Sequence, residues 1–182
     1  EATSRYPQIT DWIVVNEGYW LGTPVVSYIE DSYKLARQLC PGDVLWYNGI
    51  LTEITEQRIA LELIDDGYVD KIGIQAHLET NSDLSVYDWF LTELAERSIP
   101  WAITELDIAI PDTTEYWVYL QAAKYSEVRM MAIKYGADSI TFWEFTDKYN
   151  WISNGDLYSY YAAPYDFEMQ PKPAWYAIGG DY

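Results

Sequence analysis

Residues 101–106 read Trp-Ala-Ile-Thr-Glu-Leu. Apart from Thr104 the run is apolar until it reaches a carboxylate, Glu105. An apolar, β-branched or aromatic run of this length, with polar residues only near its C-terminal end, reads as a parallel strand buried on both faces. Four other runs share the pattern: Trp12–Asn16, Val44–Asn48, Lys71–His77 and Ser139–Phe145. Helical periodicity fills the intervals. Val25–Leu39 places Ile29, Tyr33, Ala36 and Leu39 on one face. Thr52–Asp66 places Ile54, Ile59, Leu61, Leu63 and Ile64 there, with Gly67 as its C-cap. Ser85–Arg97 and Thr114–Tyr135 complete the set, the latter ending at Gly136. Strands recur every 30 residues or so, about the size of one βα unit.

Tandem βα units build either a doubly wound sheet or a (β/α)8 TIM barrel. The polar residues favour the barrel. Asn16-Glu17, Tyr47-Asn48, Gln75 and His77, Glu105 and Asp107, and Trp143-Glu144 all fall at strand C-terminal ends. In a barrel those ends meet on the rim where active sites form. No G-x-G-x-x-G follows the first strand, so a dinucleotide fold has no local support. A full barrel of this kind needs about 250 residues, and this chain has 182. It is expected to supply about five of the eight units, as one partial catalytic domain over residues 1–182, with three units missing on the N-terminal side. The first residue is Glu1, so the chain reads as processed or cut.

Composition narrows the partners. The chain carries 29 acidic and 11 basic residues, a formal charge of −18. A phosphate backbone or an anionic membrane would be repelled, so neither nucleic acid nor membrane is an expected partner. Nine Trp and eighteen Tyr suit either an aromatic core or the flat faces of sugar rings. The single cysteine, Cys40, permits no intrachain disulfide. One histidine and scattered acids lack metal-ligand spacing, so no metal and no cofactor are expected.

Glu17 and Glu105 stand out because each ends a buried strand, where a carboxylate is costly unless hydrogen-bonded or used. Either they are rim acids held by neighbouring amides, or they are the carboxylate pair of a glycoside hydrolase, one protonating the leaving oxygen and the other attacking. His77 is the only histidine. It ends the strand before the one bearing Glu105 and Asp107. Those acids are two residues apart and share a strand face, so a Glu105–His77–Asp107 network is expected. Trp143 and Trp151 flank Thr146-Asp147-Lys148, as sugar platforms or as packing.

The motifs resemble those of family 10 glycoside hydrolases, chiefly endo-β-1,4-xylanases. Trp12-Ile-Val-Val-Asn-Glu17 is similar to W-D-V-V-N-E, the family's acid/base motif. Ile103-Thr-Glu-Leu-Asp-Ile108 matches the nucleophile motif. Ile72-Gly-Ile-Gln-Ala-His-Leu78 resembles G-[IM]-Q-[SG]-H-[LY]. Ile140-Thr-Phe-Trp-Glu-Phe-Thr-Asp-Lys-Tyr-Asn-Trp151 resembles I-T-x-W-G-V-T-D-x-x-S-W, and Pro171-Lys-Pro-Ala-Trp-Tyr176 the closing P-K-P-A-Y. They occur in family order and cover essentially the whole chain.

The resemblance implies strands 4 to 8 of the barrel, secretion, and retaining cleavage of β-1,4-xylan through a glycosyl-enzyme, with the carboxyl groups about 5–5.5 Å apart. It makes Glu17 the acid/base and Glu105 the nucleophile. His77 and Asp107 would orient Glu105, and Asn16 would contact the sugar 2-hydroxyl. Gln75 would sit beside Glu105. Trp143, Trp151, Tyr47 and Asn48 would meet the substrate, which is xylan or a xylo-oligosaccharide.

Ile13, Gly49 and Glu144 depart from the family's Asp, Asp and Gly, and Ala76 from its small polar residue. Five strands alone would leave edges at Trp12–Asn16 and Ser139–Phe145. A complementing N-terminal segment or chain, or self-association, is therefore expected. The competing reading is a non-catalytic glycan-binding or assembly module derived from such a barrel.

Overall fold

The computed structural model describes residues 2–19, 26–150 and 161–181. Five strands lie in one sheet in chain order: β1 (Asp11–Asn16), β2 (Val44–Gly49), β3 (Lys71–Glu79), β4 (Trp101–Ala109) and β5 (Ile140–Phe142). The β1/β2, β2/β3 and β4/β5 pairs are parallel. The helices are α1 (Ala2–Arg5), α2 (Val26–Leu39), α3 (Ile54–Asp65), α4 (Asp88–Glu96), α5 (Glu115–Tyr135) and α6 (Pro173–Ala177). The chain forms two compact units, Glu1–Gln75 with Val86–Ala102, and Ala76–Ser85 with Ile103–Tyr182.

All five expected strands form, and four reach or exceed their expected length. The fifth is shorter than Ser139–Phe145. Trp143 N still donates to Leu106 O at 3.1 Å, but at Thr146 the chain turns to bridge Tyr165. Burial on both faces holds for the central strands. β1 and β5 end the strand order and are half-exposed.

In the first unit, Tyr33 anchors α2. It is fully buried, and its hydroxyl donates to Trp46 O at 2.7 Å. Ile29, one turn earlier, is buried as expected, but Leu39 is 69% exposed. At 100° per residue Leu39 lies about 120° around the helix from Tyr33, outside the apolar stripe.

On α3 the expectation fails in an instructive way. Ile54 is exposed, whereas Glu56 and Gln57 are buried. Both polar side chains satisfy the β2–α3 turn. Glu56 accepts from Leu51 N at 2.7 Å and from the Tyr47 hydroxyl at 3.1 Å. Gln57 donates to Leu51 O and Val86 O. Gly49 makes room for this arrangement. A Cβ on Gly49 would stand 2.2 Å from Glu56 Oε1, so any side chain there displaces the carboxylate. The helix ends as read from sequence, with Gly67 at φ 74° just after the Asp66 cap.

The second unit is organised around α5, capped by Gly136 at φ 71°. Gln121 donates from Nε2 to Ile108 O and Tyr161 O, and the Tyr125 hydroxyl donates to Ala162 O. A buried ion pair closes the unit. Lys172 Nζ lies 3.0 Å from Asp147 Oδ2 and donates to Ala163 O at 2.8 Å, while Asp147 Oδ1 accepts from Ala163 N.

Candidate active site

Both glutamate-bearing strands carry a register shift. Ile13 pairs with Trp46 and Val15 with Tyr47, so β1 advances two residues while β2 advances one, just before Asn16-Glu17. Ile103 pairs with Ile140 and Leu106 with Phe142, so β4 gains a residue across Thr104 and Glu105. Bulges bend a strand and re-aim the side chains beside them. Glu17 follows β1 with φ 55°, a left-handed conformation that strains a side chain of its size. Its N–H donates to Asn48 O at 3.2 Å, which holds it there.

In the first unit a polar cluster surrounds Glu17. Asn16 Oδ1 accepts from Asn48 Nδ2 at 2.7 Å and from Gln75 Nε2 at 3.1 Å. Glu17 Oε1 accepts from Asn16 Nδ2 and Gln75 Nε2, each at 3.3 Å. With two donors already on its oxygen, the Asn16 side chain can offer further partners only N–H. Gln75 and Asn48, read as substrate contacts, are almost fully buried; here they hold Asn16 and Glu17. Tyr47 faces the other way. Successive strand residues face opposite sides. Asn48 meets Asn16, whereas Tyr47 is 0% exposed, stacked on Tyr33 at 6.3 Å and bonded to Glu56.

In the second unit His77 bridges two acids. Nδ1 lies 2.8 Å from Asp107 Oδ2 and Nε2 lies 3.2 Å from Glu105 Oε2. A neutral imidazole has only one N–H, so two carboxylates are both satisfied only by imidazolium. Burial disfavours that charge, but the bonds to Asp107 and Glu105 outweigh it and hold His77 above its ordinary value. The Trp143 ring stands edge-on to His77, with centroids 5.7 Å apart, and is half exposed. Trp151 lies outside the described residues.

The model of glycosyl hydrolase family 10 matches residues 1–180. The chain belongs to that family. It is similar to endo-1,4-beta-xylanase B of Thermotoga neapolitana, 29% identical over 182 residues, covering 93% of this chain and 52% of that protein. Among solved structures it resembles native xylanase 10B from Thermotoga maritima, with a TM-score of 0.80, 29% identity, and coverage of 96% of this chain and 61% of that one. Xylanase 10B from Thermotoga petrophila RKU-1, solved with xylobiose, gives a TM-score of 0.80 at 28% identity, covering 97% and 61%. The chain spans about half the length of this curated relative. Its fold is that of the family's (β/α)8 barrel, of which it supplies five consecutive βα units.

The partners of two buried charged residues, Lys172 of the closing motif and Glu56 of α3, escaped the sequence reading. Their partners, Asp147 and the β2–α3 turn, are distant or depend on chain reversal.

Proposed function

We propose that this chain carries the catalytic carboxylates of a retaining endo-β-1,4-xylanase. The observation that carries the proposal is the His77 bridge, because it does for Glu105 what a nucleophile requires. The imidazole Nε2 at Oε2 fixes the orientation of the Glu105 side chain, and Asp107 fixes the imidazole in turn. Glu105 attacks the anomeric carbon and forms a glycosyl ester. Glu17 gives its proton to the departing glycosidic oxygen. Water then cleaves the ester, losing a proton to Glu17, and both acids return to their starting states. Asn16 donates to the sugar 2-hydroxyl, and Trp143 offers its face to the ring. The strain at Glu17 agrees with a functional position.

Hydrolysis of an aryl β-xylobioside, followed by proton NMR, tests this reading. The first xylobiose released is expected in the β configuration. Release of the α anomer first would overturn the assignment. Xylobiose binding with no turnover under any condition would favour the glycan-binding module instead.

The strand order supports a second part of the proposal. β1 and β5 end the sheet, and their outward backbone groups are templates for pairing. A complementing N-terminal segment or chain, or a second copy, therefore pairs with these edges. Sedimentation velocity is expected to show association, and a monodisperse monomer that hydrolyses xylan alone would refute this part.

A further inference from the structure

Glu144 stands where the family resemblance has glycine, directly after the Trp143 that packs on His77. Both of its carboxyl oxygens are shielded from solvent, and neither has a hydrogen-bond partner among the described residues. Charged groups from several elements act on it: Asp107 of β4, His77 of β3, Asp147 after β5 and Lys172 before α6. Tyr125 of α5 feels its charge in return. An unpartnered buried carboxylate is costly, and a carboxylic acid in the same place is far less so.

We propose that Glu144 is a positioning residue whose proton controls the His77–Asp107–Glu105 chain. Protonated Glu144 leaves Asp107 as the anion bonded to His77 Nδ1 and lets His77 bridge the two acids as described. Loss of that proton puts a further negative charge beside Asp107. The two anions repel, Asp107 is pushed from its place, and the imidazolium that aims Glu105 is shared with a competitor. Burial, reinforced by Asp107 and Asp147 against the opposing pull of His77 and Lys172, pushes Glu144 up to about 8. The neutral form therefore holds through neutral pH, and the switch acts on the alkaline side. The effect on turnover rests on the proposed function above, whereas the coupling of Glu144 to His77 does not.

His77 is the only histidine in the chain, so its ring resonances need no assignment by mutation. A pH titration of these signals by NMR is expected to show, besides the ring's own titration, a second inflection near pH 8, where Glu144 ionises. Glu144→Gln, which keeps the shape without the charge, is expected to abolish that inflection and to extend aryl xylobioside turnover to higher pH. Glu144→Ala should abolish the inflection as well, in case glutamine perturbs packing. A wild-type His77 curve with no second inflection, or one retained in both variants, overturns the proposal. If the inflection behaves as expected while no turnover occurs, the coupling stands and only the enzymatic reading fails.

Discussion

Glu105→Gln is expected to lower kcat on an aryl xylobioside by roughly 10⁴- to 10⁶-fold, the scale at which removal of a covalent nucleophile is felt. Glutamine keeps the shape of the side chain and can still accept the His77 Nε2 bond through its oxygen, so the fold and the His77–Asp107 contact persist. An amide lacks the anionic oxygen that forms the glycosyl ester. Calorimetric binding of xylobiose should survive, because the chemistry and not the recognition is removed. A variant with activity within ten-fold of the parent would show that Glu105 is not the nucleophile.

Lys172→Ala is expected to cost about 3–5 kcal/mol of unfolding free energy, the penalty for leaving one member of a buried ion pair uncompensated. Its side chain is 6% exposed and that of Asp147 0%. Burial drives each toward its neutral form, raising Asp147 and lowering Lys172, against their mutual attraction. The pair is therefore a modest source of stability as a whole, yet its separation is expensive. Replacing both members by apolar residues should cost much less than replacing Lys172 alone. Urea unfolding of the two variants reads the difference, and a loss below 1 kcal/mol for Lys172→Ala would refute the buried-pair account. The consequence reaches the site, because Asp147 lies three residues after Glu144 in the segment that leaves β5.

How far these features could be read from sequence depended on whether the signal was local. The strands were legible because continuous apolar runs ending in polar residues have few other structural meanings. Glu105 and Asp107 could be placed with His77 because strand alternation puts residues i and i+2 on one face. The opposite phase applies to Tyr47: one residue before Asn48, it faces Tyr33 and Glu56. Leu39 and Ile54 were misread because an apolar residue near a helix end need not lie on the packed stripe. Glu56 and Gln57 were missed because their burial follows from bonds to Leu51 in a turn that periodicity does not report. Glu144 was visible as a departure from the family pattern, but the shielding of both its oxygens is a property of tertiary packing.

Gly49 and Glu56 share one volume, since a β-carbon on the first would sit against an oxygen of the second. The two positions are therefore not independent in descent. A lineage with the family's aspartate at 49 could acquire Glu56 in this orientation only after that aspartate had gone, and this chain cannot regain it until Glu56 has moved. Only the state with a side chain at 49 and Glu56 in this orientation is overcrowded, so the route that avoids it is the one in which one side chain leaves before the other arrives. The interior of the β2–α3 connection thus acts as a ratchet, in which the order of mutations matters as much as their identity.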